Sequence, residues 1–349
     1  MINNKKYYYF FNNNGRALIN SLKPIKLGTR TAYMLFTQDG KAFTKGYKKI
    51  SEDYYYFLAN GQAFTTGYKT VKIDNVTYYY FFASNGKALK NTSKPIKFGN
   101  EYFLYYFTSD GQALVSNWKT IDGKKYYFGE NGRAAKKDFR TISKKRYYFN
   151  SKSALVTNGW FCVGDGYYHA DKNGVIATNT VLEGYKLDAN GKSATKYRII
   201  QLVNKHTKPT MSNQEKISAL YNWILYNNMY YIRTYEHVKS SWVWKDSWVD
   251  DMASSLLDKN GGNCFRYASL LGLLVHEATG LPVIVYHGQT PGANVPLTPH
   301  GWIAVQQSGT WYVYDVELDK FSNYSTSKLY KVPASSSRLH LDGIGTKLY

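Results

Sequence analysis

The sequence predicts a multidomain chain, an N-terminal all-β solenoid of hairpin repeats followed by a C-terminal α+β domain. Three observations predict it. Aromatic clusters followed by Asn-Gly or Asp-Gly recur every 21 to 25 residues through the first half. Helical apolar periodicity begins only after about residue 212. Charge divides at the same place: residues 1–195 hold 30 Lys and Arg against 13 Asp and Glu, residues 196–349 only 15 against 11.

The repeats read Tyr7-Tyr8-Tyr9-Phe10 before Asn14-Gly15, Tyr54-Tyr55-Tyr56-Phe57 before Asn60-Gly61, and Tyr78-Tyr79-Tyr80-Phe81 before Asn85-Gly86. Aromatics favour strands, and Asn-Gly accepts the positive φ that a tight hairpin turn demands, so each unit predicts a hairpin turning there. A lone hairpin is barely stable in water and must bury its aromatic face on its neighbours. Residues 1–195 are therefore expected to stack into a solenoid. At Asn150-Ser151-Lys152-Ser153 the turn signal degenerates.

The formal charge of +21 lies mostly in this array, which points to an anionic partner or surface. No zinc-finger spacing, helix-turn-helix pattern or RNA-binding signature accompanies it, so nucleic acid is not the expected partner. The two unclustered thiols, Cys162 and Cys264, make neither a disulfide framework nor a zinc site. No apolar run is long enough to predict a transmembrane segment.

The array resembles the bacterial cell-wall-binding repeat family, which includes choline-binding and glucan-binding repeats and the repetitive domains of clostridial toxins. The stretch Ile121-Asp122-Gly123-Lys124-Lys125-Tyr126-Tyr127-Phe128, running on to Asn131-Gly132, carries the resemblance most closely. Choline-type sites are Trp-rich cages that use cation–π attraction. Here only Trp118 and Trp160 occur, and Tyr stands where Trp is usual. That departure favours carbohydrate or an anionic wall polymer over choline. The resemblance implies a secreted, cell-wall-associated protein. The N-terminus, Met1-Ile2-Asn3-Asn4-Lys5-Lys6, lacks a signal core, so the chain is read as a piece without its signal peptide. No sortase-type anchor is seen in the tail, which leaves non-covalent retention by the repeats.

Residues 196–211 lose the repeat pattern and include Lys205-His206-Thr207-Lys208-Pro209, read as a linker. A domain over 212–335 and a polar tail over 336–349 follow. Ser212 and Glu215 have capping-box spacing, and Ile217, Leu220, Tyr221, Ile224, Leu225 and Met229 share one helical face. Asp250–Leu257 predicts a second helix, broken by Gly261-Gly262. Asn263 is an N-cap, which puts Cys264 in the first turn of a helix reaching about Ala278 and ended by Gly280 and Pro282. The positive end of a helix favours an anion, and its free amides can hold an oxyanion. Val283–His287, His300–Gln306 and Trp311–Glu317 predict strands, with Ser308-Gly309 turning between the last two. That hairpin brings His300 near Asp315, and a carboxylate beside an imidazole fixes its tautomer and stabilises the imidazolium. Glu317 shares the strand face of Asp315 and ranks behind it. His237, His276 and His287 are expected to be structural. Trp242, Trp244 and Trp248 are candidates for a substrate groove or an oxyanion contact.

From about 212 to 320 the chain resembles the transglutaminase-like superfamily. The matching residues are Tyr221-Asn222-Trp223-Ile224, Tyr230, Gly262-Asn263-Cys264, Leu281-Pro282, His300-Gly301-Trp302 and Trp311-Tyr312-Val313-Tyr314-Asp315. The resemblance implies a papain-like α+β fold, with the nucleophile's helix packed on an antiparallel sheet. Cys264 would be the nucleophile, His300 the base and later the acid, and Asp315 the orienter. Phe265-Arg266 and Val316 depart from the common pattern, which bears on substrate rather than on activity. The function implied is thiol acyl transfer on peptide or carboxamide bonds, by a peptidase, a deamidase or a transglutaminase, without metal or organic cofactor. Expected partners are a protein or peptide substrate and, through the repeats, a wall polymer or glycan. The rival reading is a non-catalytic surface adhesin that uses the same fold as a protein-binding platform.

Overall fold

Alternation along the aromatic clusters turns them into hairpins. In the strand Val76–Phe82, Tyr80 and Phe82 are fully buried while Tyr79 and Phe81 are half-buried. It pairs antiparallel with Gly67–Ile73, from Gly67↔Phe82 to Ile73↔Val76. The computed structural model describes residues 6–232, 243–290, 298–321, 329–337, 339 and 344–349. Among them are eight such hairpins, each a two-stranded antiparallel sheet. Successive hairpins are stitched by backbone bonds: Ala88 N–H donates to the Tyr54 carbonyl at 2.9 Å and Ala113 N–H to Tyr79 at 2.7 Å.

The Asn-Gly pairs do not turn the hairpins, contrary to the sequence expectation. The strands reverse at other two-residue loops, such as Asp74-Asn75, where φ is +48° and +65°. The Asn-Gly pair follows the second strand instead. Asn60 Oδ1 accepts the Gln62 N–H at 3.1 Å, Gly61 takes φ +79°, and the chain folds back so that Phe57 bridges Ala63. An Asx turn before a positive-φ glycine reverses the chain as tightly as a hairpin loop, and the sequence signal does not separate the two.

The chain divides into two compact units, Met1–Val156 and Thr157–Tyr349. The second contains the last two hairpins, Gly159–Val163 with Gly166–Ala170 and Thr180–Leu182 with Tyr185–Leu187. The expected linker over 196–211 is mostly helix: α1 spans Ala194–His206, with the Ser193 side chain accepting from Lys196 N–H. Ile199 and Val203 of α1 are buried in the core of this unit, together with Tyr185 of the last hairpin. Lys196, at the start of that stretch, is itself buried and pairs with Glu277 at 2.5 Å.

Helix α2 (Asn213–Tyr226) starts at the full Ser212–Glu215 capping box. Helix α3 (Trp248–Lys259) ends on Asn260 with φ +49°, and α4 (Cys264–Thr279) on Gly280 with φ +65°. Val283–Thr290 (β1), Thr298–Gln307 (β2), Thr310–Tyr314 (β3), Val332–Pro333 (β4) and Ile344–Lys347 (β5) form one antiparallel sheet, ordered β4-β3-β2-β1-β5. The expected tail over 336–349 thus supplies an edge strand, and Leu348 is buried. One face of the sheet (Val283, Val285, Ile303, Val305) packs with Leu270, Leu271 and Leu274 of α4. Each such buried side chain contributes about 1.5–3 kcal/mol. Ile284, Tyr286, Trp302, Ala304 and Val313 form a second cluster with Leu329 and Leu339. No helix among the described residues is long and apolar enough to cross a membrane.

Candidate active site

The N-terminus of α4 is where the site is assembled. Asn263 caps it, its side chain accepting the Arg266 N–H at 3.4 Å, and Cys264 is the first helical residue, half-buried. A parallel pairing of Tyr230–Tyr231 with Gly261–Gly262 holds the chain just before it. Close approach to β2 requires Gly301: a Cβ there would lie 2.9 Å from Phe265 Cα and 3.2 Å from its amide nitrogen. That contact sets the first turn of α4 beside the residue preceding Gly301, which is His300.

His300 and Asp315 are both buried, with Nε2 and Oδ2 2.5 Å apart. The other carboxylate oxygen of Asp315 accepts the Leu318 N–H at 3.0 Å, so Asp315 caps helix α5 (Val316–Phe321). Its backbone is held as well: its N–H donates to the Leu329 carbonyl at 2.9 Å, and its carbonyl lies 3.0 Å from the Tyr221 hydroxyl. Burial alone would lower the His300 pKa. The Asp315 carboxylate beside the ring, helped by the neighbouring Cys264 side chain, outweighs burial and holds His300 well above the usual imidazole range. With Nε2 bonded to Asp315, Nδ1 is the ring nitrogen left for the thiol. The structure therefore brings Cys264, His300 and Asp315 into one chain of contacts.

The expected strand over 311–317 stops at Tyr314, because the Asp315 cap starts a helix. Glu317 is consequently not on a strand face. It is buried on α5, and its carboxylate, the His300 imidazole and the Asp315 carboxylate each offer a ligand atom within 4.8 Å of the others. Such a trio could hold a cation, although His300 Nε2 is already bonded to Asp315. Burial, reinforced by the Asp315 charge and opposed by His300, pushes the Glu317 carboxyl up to about 7. Position in sequence hid this, since only the helical turn after Asp315 folds Glu317 inward.

Trp244 stacks on His287, ring centroids 3.9 Å apart, and meets the Phe265 ring edge-on at 5.1 Å. Trp248 is buried and donates Nε1–H to Thr346 Oγ1 at 2.7 Å. Both pack behind the first turn of α4, while Trp242 and His237 lie outside the described residues. Burial pulls the His287 pKa down, and His276 Nδ1 lies 3.1 Å from the Leu281 carbonyl oxygen. Exposed Cys162 sits on a hairpin, its sulfur 3.7 Å from the Gly164 carbonyl.

In the repeats, much of the positive charge is used internally. Lys69 sits 4.4 Å from the Tyr56 ring centroid, Lys94 4.8 Å from Phe81 and Lys119 4.5 Å from Tyr106, each cation capping a ring of the preceding hairpin.

Two family models match, both within residues 45–176. The choline-binding repeat matches residues 114–160, and the cell wall binding repeat matches 45–63 and 158–176. No curated protein sequence matches the chain. Among solved structures, the chain is similar to the modular autolysin LytC from Streptococcus pneumoniae, at 20% identity and a TM-score of 0.45, covering 55% of this chain and 42% of that one. It thus spans less than half the length of the autolysin. The choline-binding domain of CbpL from Streptococcus pneumoniae matches at 21% identity and a TM-score of 0.40, covering 55% of this chain and 94% of that one. The choline binding domain of Spr1274 in Streptococcus pneumoniae matches at 30% identity and a TM-score of 0.22, covering 23% and 94%. Three segments of the repetitive part of the chain, residues 45–63, 114–160 and 158–176, thus match models of choline-binding or cell wall binding repeats.

Proposed function

We propose that the C-terminal domain is a transglutaminase-like thiol acyl-transfer enzyme, held at a Gram-positive cell wall by the repeats. The observation that carries this reading is the buried His300–Asp315 pair in contact with a thiol at a helix N-terminus. In the proposed reaction His300 accepts the Cys264 proton, and the thiolate attacks the carbonyl carbon of a peptide or carboxamide. A C–S bond forms as the carbonyl becomes a tetrahedral oxyanion, which the free amides of the first turn of α4 can stabilise. Collapse breaks the C–N bond, and His300 returns its proton to the departing amine. Water attacking the thioester makes the enzyme a peptidase or deamidase; a lysine amine makes it a transglutaminase. Asp315 stabilises the imidazolium in each half-reaction.

The test is the rate of iodoacetamide labelling of Cys264 across pH, in wild type and in His300→Ala. Labelling at about pH 6 that disappears in His300→Ala is the expected result. Equal, slow labelling in both would leave the domain without an activated thiol and favour the adhesin reading.

A further inference from the structure

The repeats contain their own internal comparison, and it isolates one inter-repeat cleft. The residue after a turn glycine is often basic, and in three repeats it has a carboxylate partner: Lys41 with Asp39 at 2.7 Å, Lys87 with Asp53 at 2.5 Å and Lys192 with Asp165 at 2.7 Å, whereas Arg16 after Gly15 is exposed and has none among the described residues. Arg133 occupies the same place after Gly132, and among the described residues no carboxylate lies within ion-pair distance of it. The Lys87 pair depends on one residue that the Arg133 repeat lacks. Asp53 opens the strand Asp53–Phe57 and neutralises both Lys87 and, at 3.2 Å, Lys90. Aligning Asp53-Tyr54-Tyr55-Tyr56-Phe57 with Phe103-Leu104-Tyr105-Tyr106-Phe107 puts Phe103 where that aspartate stands. One neighbouring contact is retained. Lys90 Nζ donates to the Glu52 carbonyl and Lys136 Nζ to the equivalent Tyr102 carbonyl, at 2.7 and 3.3 Å.

Without the carboxylate, both cations are held by neutral groups only. The Arg133 guanidinium lies 4.4 Å from the Phe98 ring centroid and 4.5 Å from Phe103, and Nε donates to the Tyr105 hydroxyl at 3.3 Å. Lys136 sits 5.8 Å from the Phe103 centroid. A cleft of about 660 Å³ opens on them, lined also by Tyr127, Arg140 and one exposed acid, Glu130. Arg140 is paired with Asp138 at 2.7 Å on the exposed rim. Two half-buried cations, fixed in place and not neutralised, suit a compact oxyanion. Guanidinium offers paired N–H donors to phosphate oxygens, and fixing its geometry beforehand lowers the cost of binding. The same positive lining disfavours a quaternary ammonium.

We infer that the cleft around Phe103, Arg133 and Lys136 binds a phosphate group, with Arg133 and Lys136 as its ligands. This deepens the wall-retention reading of the repeats, on which its biological meaning rests, and it does not depend on the thiol chemistry. The test is calorimetric titration of the full chain with inorganic phosphate and with a glycerophosphodiester oligomer. Saturable binding is expected, weakened about tenfold or more in Arg133→Gln and in Lys136→Gln. It should be unchanged in Lys87→Gln, where the cation is already neutralised. Phe103→Asp restores the carboxylate of the earlier repeat and should abolish binding. If that variant fails to fold, Lys136→Gln, which leaves the aromatic cluster untouched, carries the test. Tighter binding of the diester points to a polymer, and equal binding to free phosphate. Absence of binding for both anions, or binding indifferent to Arg133 and Lys136, overturns the inference. Sedimentation of the same proteins with purified walls separates the two readings. Retention that survives loss of the phosphate site leaves the wall reading standing, whereas no retention with phosphate binding intact removes that reading and keeps the site.

Discussion

His300 owes its raised pKa to what touches it, so its substitution separates chemistry from folding. The Asp315 carboxylate and the Cys264 thiol favour the imidazolium more than burial opposes it. That contribution to stability is complete below the unfolded imidazole value of about 6.5 and is lost as pH rises through the higher folded value. Asp315→Asn keeps the side chain's size but removes its charge, and should slow Cys264 labelling or turnover by about 10²–10⁴-fold. Stopped-flow labelling reads this directly. Two other buried carboxyls work in the opposite direction to an ordinary salt-bridged acid. Burial raises Asp250 to about 6 and Glu317 to about 7, above ordinary values of 3.8 and 4.5. Each keeps a proton in the folded state that the unfolded chain has already released. Both therefore make stability fall as pH rises, between about 3.8 and 6 for Asp250 and between about 4.5 and 7 for Glu317. Thermal melts across that range should show a shallower decline in Glu317→Gln, and an unchanged slope would contradict the assignment.

At the scale of elements, two contacts decide whether the site forms. Gly301 lets the first turn of α4 rest on β2, and Gly301→Val would drive a side chain into the Phe265 backbone. Overpacking of this kind costs about 1–3 kcal/mol, and the α4 terminus is where the displacement would fall. Labelling of Cys264 should lose its dependence on His300 even where circular dichroism shows the fold retained. Lys196 is the second contact. It pairs with Glu277 and lies 4.3 Å from the Tyr185 ring centroid and 4.6 Å from Trp160, joining the last hairpins to α1 and α4. Lys196→Ala leaves the half-buried Glu277 carboxylate without its cation and should cost about 3 kcal/mol, read as a lowered denaturation midpoint. Helix limits here were legible because caps are local: Asn263, Gly280 and the Ser212–Glu215 pair each sit within a turn of the end they define. Helix α1 was not, since Lys196 is buried by residues on distant elements, Glu277 lying 81 positions further along the chain.

At the scale of the molecule, the boundary between compact units falls at Val156–Thr157 and not at the end of the repeat pattern. A chain beginning at Thr157 should fold cooperatively and keep Cys264 labelling. One beginning at residue 212 loses Tyr185, Ile199 and Val203 from its core and should be unstable at room temperature. Cleavage by a protease at low concentration would distinguish them. Retention on purified walls should fall several-fold between about 0.05 and 0.5 M salt if the basic array meets an anionic polymer, because the Debye length shrinks below the spacing of surface charges.

Properties written in neighbouring residues could be read without coordinates. The aromatic period fixed a stack of hairpins, the caps bounded α2 and α4, and the strand-turn-strand around Ser308-Gly309 predicted His300 beside Asp315. Burial and charge compensation could not be read, because they belong to pairs distant in the chain. Only the tertiary structure turned Glu317 inward, buried Lys196 in an ion pair, and set Phe103 beneath Arg133 in place of a carboxylate. Short-range hydrogen bonds and steric preferences act within a turn, whereas the dielectric and partners of a side chain depend on everything packed around it.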